Sequence, residues 1–378
     1  MDAHRTERLF VGKAPASSSH PYGTHVAARR RTETVDMANE PLLASVIVAT
    51  YNRARQLERA LESLVRQRVD RFTYEILVVD NNSTDDTSEV VRRIARRYPD
   101  ARIEYLFVRE QGVSHARNAG IVHARAPLIA FIDDDVEAAD DWLARMVGAF
   151  AEHPEVACVG GQVRPRWTTG RPSWLTEDHF GPLALQTWSR PFLLSRAAAE
   201  RCLATENFGC RRAVFEEVGL FSAAFPRGED REFQLRLWQA GKCGLYDPGI
   251  KVSVSVPTER LTRAYHRKWR FTYAKYHALM WYRDLVNGEG VLEPPTRRRS
   301  FLGTPLFIYR EGVAHGRGWC AALLHKDGTR RFYHETQLWY VAGFVYSRLQ
   351  QTLAAFVRGQ SVRGSGIRAR SRTAPRRA

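Results

Sequence analysis

The sequence has no run of apolar residues long enough to cross a bilayer. Its longest, residues 338–346, is about half of the roughly 20 residues that a spanning helix needs. That excludes a polytopic membrane protein. Cysteine is scarce: Cys158, Cys202, Cys210, Cys243 and Cys320 are odd in number, widely spaced, and form no C-x-x-C pair. A disulfide scaffold and a zinc knuckle are thereby excluded, and a reducing compartment is expected. Residues 1–40 hold no apolar core of the kind a secretory signal carries, so they read as a disordered leading segment. Residues 358–378 carry seven arginines and no acid, so nearly half of the net charge of +16 sits in one solvated tail. Two nucleotide signatures are also missing. Neither G-x-G-x-x-G nor G-x-x-x-x-G-K-[ST] follows the first strand-like run, which removes the main support for dinucleotide and P-loop readings.

What is present is an ordinary globular composition, 44% hydrophobic and 26% charged, sufficient for a sizeable core. Residues 45–50 form an apolar, strand-like run, and Leu57, Leu61 and Leu64 repeat behind it at helical spacing. Residues 74–80 make the next strand, followed by the turn Asn81-Asn82-Ser83-Thr84 and a helix through Arg97. Residues 103–108, a helix around 114–123, and residues 128–132 continue the alternation. This predicts an α/β protein with βαβ units and a mostly parallel sheet. Residues 160–191 read as loops over a site, 202–240 as interrupted helix and 262–285 as a long helix. A linker around 287–303 leads to a mostly helical stretch over 304–357. The expected organisation is a segment 1–40, an α/β unit 41–285 (nucleotide-binding half 41–136, acceptor-binding half 137–285), a helical extension 286–357 and the tail 358–378.

In an open parallel sheet, ligands bind beyond the carboxyl ends of the strands. Those ends here carry Thr50-Tyr51-Asn52-Arg53, Asp80-Asn81-Asn82 and Asp133-Asp134-Asp135. An acidic edge without a glycine loop binds a diphosphate only if a divalent cation offsets the repulsion. Carboxylates separated by one residue on an extended segment point the same way, so one can grip a metal and the other a ribose. Helix capping, the bland alternative, is better served by Asp140 and Asp141. Asp80 either accepts the imide N–H of a uracil- or thymine-like base or closes an Asx turn. Arg117, flanked by near-apolar residues, is either a buried, paired arginine or a surface one. Arg260, Arg263, Arg267 and Arg270 fall at helical spacing beside Leu261, Tyr265, Trp269, Tyr273 and Tyr276. That pattern fits an interfacial helix approaching anionic lipid, or an ordinary packed helix with a basic solvent side.

Four motifs then fall into register. Ala49-Thr50-Tyr51-Asn52-Arg53, Val79-Asp80-Asn81-Asn82-Ser83-Thr84-Asp85, Ala116-Arg117-Asn118-Ala119-Gly120 and Phe131-Ile132-Asp133-Asp134-Asp135 resemble, in order and spacing, the signatures of family 2 glycosyltransferases of the GT-A fold, over roughly residues 44–285. The resemblance implies a GT-A fold with a helical C-terminal extension. It assigns the nucleotide-sugar to Thr50, Tyr51, Asn52, Arg53, Asp80, Asn82, Arg117, Asp133, Asp134 and Asn207, and a divalent cation (Mn²⁺ or Mg²⁺) to Asp133 and Asp135. Asn207 enters because Thr205-Glu206-Asn207-Phe208-Gly209-Cys210-Arg211-Arg212 resembles the segment touching the donor sugar. Gly228-Glu229-Asp230-Arg231-Glu232-Phe233-Gln234-Leu235-Arg236 resembles the family's ED motif. Asp230 is then the base that takes the acceptor hydroxyl's proton, and Glu229 orients the acceptor. A charge pair favouring a helix N-terminus is the structural alternative, and the two are compatible.

Two departures from the family pattern bear on function. The Q-x-x-R-W of processive synthases reads Gln234-Leu235-Arg236-Leu237-Trp238 here, which implies a single addition. The metal-ligating His that often follows the last strand is absent from residues 251–256. The implied reaction moves one sugar from a UDP, dTDP or GDP sugar to a saccharide or lipid-linked acceptor, with inversion, in bacterial-type surface polysaccharide or glycolipid assembly. The implied setting is cytoplasmic, with peripheral contact to an anionic inner membrane face and no nucleic acid. Two alternatives stand beside it: a nucleotidyltransferase, which would release pyrophosphate, and a nucleic-acid-binding protein, which would need no acidic strand end.

Overall fold

Branched side chains favour extended backbone and fill the first strands of the computed structural model, which describes residues 40–198, 201–282 and 300–357. The expectations for residues 1–39, 283–299 and 358–378 lie outside the described residues. β1 (Leu42–Thr50), α1 (Ala54–Val65), β2 (Thr73–Asp80), α2 (Thr87–Arg97), β3 (Ile103–Phe107), α3 (Val113–His123) and β4 (Leu128–Asp133) follow in turn. The four strands pair in parallel in the order β3-β2-β1-β4. Val46, Val48, Ile76, Val78, Ala130 and Ile132 pack with Leu57, Leu61 and Leu64 of α1 and Val90 and Ile94 of α2. Ile47, Leu77, Val79, Ile129 and Phe131 pack with Ala116 and Ile121 of α3 on the other side. Burial on both faces is why these strands read as continuous apolar runs. Each fully buried aliphatic side chain contributes about 1.5–3 kcal/mol.

Register then sets the site. Thr50 lies opposite Asp80 and Ala49 opposite Asp133, so three strand ends finish level. A Cβ on Gly120 would stand 2.7 Å from Ile47 Cγ2. Only glycine lets α3 lie this close on β1, and Arg117, three residues earlier on the helix, is thereby brought to the strand ends.

The second half begins with β5 (Val136–Ala138), α4 (Trp142–Glu152), β6 (Cys158–Trp167) and β7 (Phe192–Leu194). It continues with β8 (Phe208–Arg211), α5 (Arg212–Val218), α6 (Glu229–Gln239) and β9 (Gly244–Val256). Among the described residues the sheet has nine strands, running on from β4 through β8, β6 and β9 to β5, with β7 also on β9. β8 is antiparallel to both of its neighbours. Two expectations change here. Residues 202–240 contain a strand, too short for periodicity to separate it from helix. Residues 160–191 begin as the end of β6 rather than as loop. All five cysteines are free.

Three helices complete the fold: α7 (Arg263–Tyr282), α8 (Leu306–Leu324) and α9 (Gly328–Val357). Ala274, Ala278, Ile308 and Phe344 form a small core between them. A Cβ on Gly343 would collide with the Phe271 carbonyl, so α9 lies against α7 with almost no gap. Gly343→Val is expected to lower the melting temperature by several degrees, because overpacking costs about 1–3 kcal/mol. Gly316→Val, at a position with open space around it, is the control for the same scanning-fluorimetry measurement.

The arginine face expected to meet lipid is turned inward. Arg260 lies in the helical turn Thr258–Leu261 ahead of α7 and approaches Asp135 at 3.9 Å. Arg263 stands over the Phe332 ring at 5.1 Å, and Arg267 donates to Glu335 at 2.6 Å. Arg270 lies beside Tyr273, Tyr333 and Tyr340, where burial lowers its pKa. The packed-helix alternative describes α7, with α9 as its partner, and these arginines are engaged within the fold. No helix among the described residues is long and apolar enough to cross a membrane.

Candidate active site

Two loops clasp each other at the level strand ends. Asn52, in the left-handed region at φ +52, accepts from Thr84 N at 2.7 Å, and its own N–H donates to Ser83 Oγ at 2.9 Å. Asp85 accepts from Ala54 N at 3.0 Å, satisfying an orphan donor at the start of α1. Asn82 also adopts a left-handed backbone, at φ +66. Tyr51 is 48% exposed beside this clasp, while Thr50 is buried. Asp80 serves the turn as the structural alternative had it, accepting from Ser83 N at 2.8 Å. Its second oxygen accepts from the Tyr105 hydroxyl at 2.6 Å. Asn81, not singled out from the sequence, bonds Val108 O, Glu110 O and Gly112 N and so shapes the entry to α3.

The acidic edge is held by arginines. Arg53 Nη1 donates to Asp134 Oδ1 and Asp135 Oδ2, both at 2.9 Å. Burial pushes Asp134 up to about 6, against the pull of Arg53. Asp135 is raised by burial and then by Asp133. Arg117 is buried and bridges two motifs: Nη2 donates to Asp133 Oδ1 at 3.0 Å and Nη1 to Glu229 Oε1 at 2.7 Å. Burial alone would lower its pKa, yet Asp133 and Glu229 raise it and keep it charged. Asp141, expected to cap α4, stands at its N-cap position without a cap bond and pairs with Arg145 instead.

Gly228, at φ +76, turns the chain into α6 and sets Glu229 and Asp230 in its first turn. Burial and then Glu229 push the Asp230 carboxyl up to about 7, against Arg117 and Arg231. A carboxylate poised there is an effective proton acceptor near neutral pH. Gln234 is tied to both backbone groups of Leu203 at 2.8 Å, fixing α6 against the segment before β8.

Asn207 departs from its assignment. Its side chain has no exposed surface, accepts from Trp142 Nε1 at 2.8 Å, and donates to Gln162 O and Ile250 O at 3.0 and 3.1 Å. Every polar atom of the amide is used in joining α4, β6 and β9, and nothing remains for a donor. The neighbouring Glu206 faces the site instead. Its Oε2 is buried without a hydrogen-bond partner, and burial, then Asp133 and Asp135, push its pKa far up. The sequence showed an acid in a donor-facing segment, but not which of two adjacent polar side chains turns inward.

Among the described residues, no group of three or more His, Cys, Asp or Glu is arranged to hold a metal by itself. Asp133 and Asp135 supply two carboxylates, and Mg²⁺-like cations characteristically bind one or two carboxylates and complete their shell with phosphates and water. Carboxyl groups (Asp133, Asp134, Asp135, Glu206, Glu229, Asp230) outnumber the guanidiniums of Arg53, Arg117, Arg231 and Arg260 around them. The orphaned Glu206 oxygen is a buried polar atom of this cluster that the protein leaves without a partner. The donor set fits a cation that arrives with a diphosphate.

The glycosyl transferase family 2 profile matches residues 45–219. The match covers a little under half of the chain. The glycosyltransferase AglE of Haloferax volcanii is 30% identical over 197 residues, covering 52% of this chain and 62% of that protein. The validoxylamine A glucosyltransferase of Streptomyces hygroscopicus is 42% identical over 113 residues, 29% of this chain and 26% of that one. The chain thus spans less than two thirds of either curated relative. In structure it resembles a mannosyltransferase from Pyrobaculum calidifontis, solved with GDP-Man and Mn²⁺, with a TM-score of 0.56 and 22% identity over 82% of this chain and 88% of that one. The fold is that of the GT-A glycosyltransferases. The matched segment holds all three strand-end motifs and Arg117 but stops short of Glu229 and Asp230. Arg117 is therefore the link from the matched segment to the Glu229-Asp230 pair.

Proposed function

We propose that this chain transfers a single sugar from a nucleoside-diphosphate sugar to an acceptor hydroxyl, with inversion at the anomeric carbon. The observation that carries the reading is the Arg117 bridge, which ties Asp133 on the donor side to Glu229 beside the Asp230 carboxyl. Thr50, Tyr51, Asn52, Asn82 and Asp80 line the nucleoside end, and Arg53 stands at the diphosphate. Asp133 and Asp135 would hold Mn²⁺ or Mg²⁺, which when bound offsets the charge of the leaving diphosphate. Asp230 takes the acceptor proton as the hydroxyl oxygen bonds to the anomeric carbon, and the electron pair of the breaking C–O bond leaves with the nucleoside diphosphate. One backside displacement inverts the configuration. Glu229, held by Arg117, orients the acceptor. Leu237 stands where the processive pattern has its arginine, before Trp238, which supports a single-addition enzyme. The acceptor is proposed to be a saccharide or lipid-linked sugar, and the free cysteines favour a cytoplasmic reaction.

The test is a thermal-shift panel of UDP-, dTDP- and GDP-sugars, each with Mn²⁺ or with EDTA, followed by product analysis. One donor class with Mn²⁺ should raise the melting temperature, since ligand at 100 times its Kd adds about 2.7 kcal/mol. EDTA or Asp135→Ala should abolish the rise. An equal rise in EDTA removes the cation from the reading. Release of pyrophosphate rather than nucleoside diphosphate would make the chain a nucleotidyltransferase.

A further inference from the structure

We propose that Arg53 is a latch on the cation-binding carboxylate: its guanidinium occupies Asp135 in the empty enzyme, holds cation affinity down, and is released toward the diphosphate when the cation binds. The inference rests on the reading that Asp135 takes the cation. One nitrogen, Nη1, serves both Asp134 Oδ1 and Asp135 Oδ2 at 2.9 Å. The two acids are fixed and the arginine is not: their side chains are 6% and 18% exposed, against 39% for Arg53. The main chain of Arg53 is anchored, because its carbonyl accepts from Leu57 N at 2.9 Å in the first turn of α1. The side chain is therefore free to swing about a fixed root. Arg260, at 3.9 Å, is too far to replace it with a direct hydrogen bond.

A cation reaching Asp135 must displace a charge-assisted hydrogen bond, and that cost lowers its affinity in the absence of nucleotide. Displacement also frees a guanidinium at the level end of β1, between the ends of β2 and β4, where its planar fork suits phosphate oxygens. Cation and diphosphate are then coupled through one side chain, and by linkage each raises the affinity of the other.

The experiment titrates Mn²⁺ alone into the full chain and reads free Mn²⁺ by electron paramagnetic resonance. Arg53→Ala should bind Mn²⁺ on the order of tenfold more tightly than wild type, within the 5–150-fold range of such couplings. Arg53→Lys, which keeps a charge near Asp135, should stay close to wild type. Addition of UDP or GDP, whichever the thermal-shift panel selects, should tighten Mn²⁺ in wild type and much less in Arg53→Ala. If wild type and Asp135→Ala differ as a cation site requires, but Arg53→Ala binds Mn²⁺ no more tightly than wild type, the latch is wrong and the site reading stands. If Asp135→Ala binds Mn²⁺ as wild type does, or no protein binds it even with nucleotide, the cation reading falls and takes the latch with it.

Discussion

Asp230→Asn is expected to lower kcat by about 10²–10⁴-fold while leaving the affinity for donor nucleotide unchanged, because a positioned general base contributes about that factor. In the proposed reaction the base faces the acceptor, and Asn preserves its shape without its proton affinity. In wild type, kcat/KM should rise with pH through about 7 and level off above it, since burial and Glu229 hold the Asp230 proton up to that point. The variant should lose this limb of the profile. Stability supplies a second readout with a definite sign. An unfolded aspartate ionises near 3.8 and the folded one near 7. Between those values the folded state keeps a proton that the unfolded state releases, so Asp230 makes stability fall as pH rises. Asp230→Asn removes that penalty, and its melting temperature should gain on wild type from pH 4 to 7. A near-normal kcat in the variant, or a product of retained configuration, would remove Asp230 from the mechanism. Glu229 is the neighbour able to substitute, so Glu229→Gln/Asp230→Asn belongs in the same series.

Arg117→Met should be the most damaging single change to the framework of the site. Deleting one partner of a buried ion bridge leaves the carboxylates of Asp133 and Glu229 uncompensated, at a cost of about 3–5 kcal/mol. For a protein of this size that corresponds to a fall of roughly 4–6 °C in melting temperature. Donor affinity and kcat should drop together, since the same guanidinium positions Asp133 and the ED pair. Arg117→Lys should recover little, because one ammonium cannot reproduce a planar fork spanning two acids. A double-mutant cycle with Glu229→Gln should show coupling between them. Additive effects would mean the bridge is incidental.

The strand-end side of the site was legible in the sequence because it is local. Thr50, Asp80 and Asp133 end apolar strands, and a parallel sheet in register must deliver such ends to one edge. Arg117 was flagged by its apolar flanks, but its second partner, Glu229, lies 112 residues away, and no local pattern reveals that. The side built from the second half of the chain was less readable for the same reason. Helical spacing grouped Arg260 with Arg263, Arg267 and Arg270, yet Arg260 belongs to a separate turn facing Asp135, and Arg267 finds Glu335 at a separation of 68 residues. Amphipathicity reports that a helix has two faces, not what covers either. Asn207 turns into the fold and Glu206 toward the site because both lie in the single helical turn Thr205–Asn207 ahead of β8, and three residues are too few to show which side faces inward.

The place of β8 in the sheet also bears on how the chain is made. Residues through Asp133 suffice for the four parallel strands, but the exposed side of β4 finds its partner only when β8 arrives. That is roughly 75 residues later, or several seconds at synthesis rates of about 5–20 residues per second. Throughout that interval a nascent chain presents an open apolar strand edge, the kind of template on which intermolecular pairing begins. Yield of soluble protein should therefore depend on growth temperature and chaperone supply more than the stability of the finished fold would suggest.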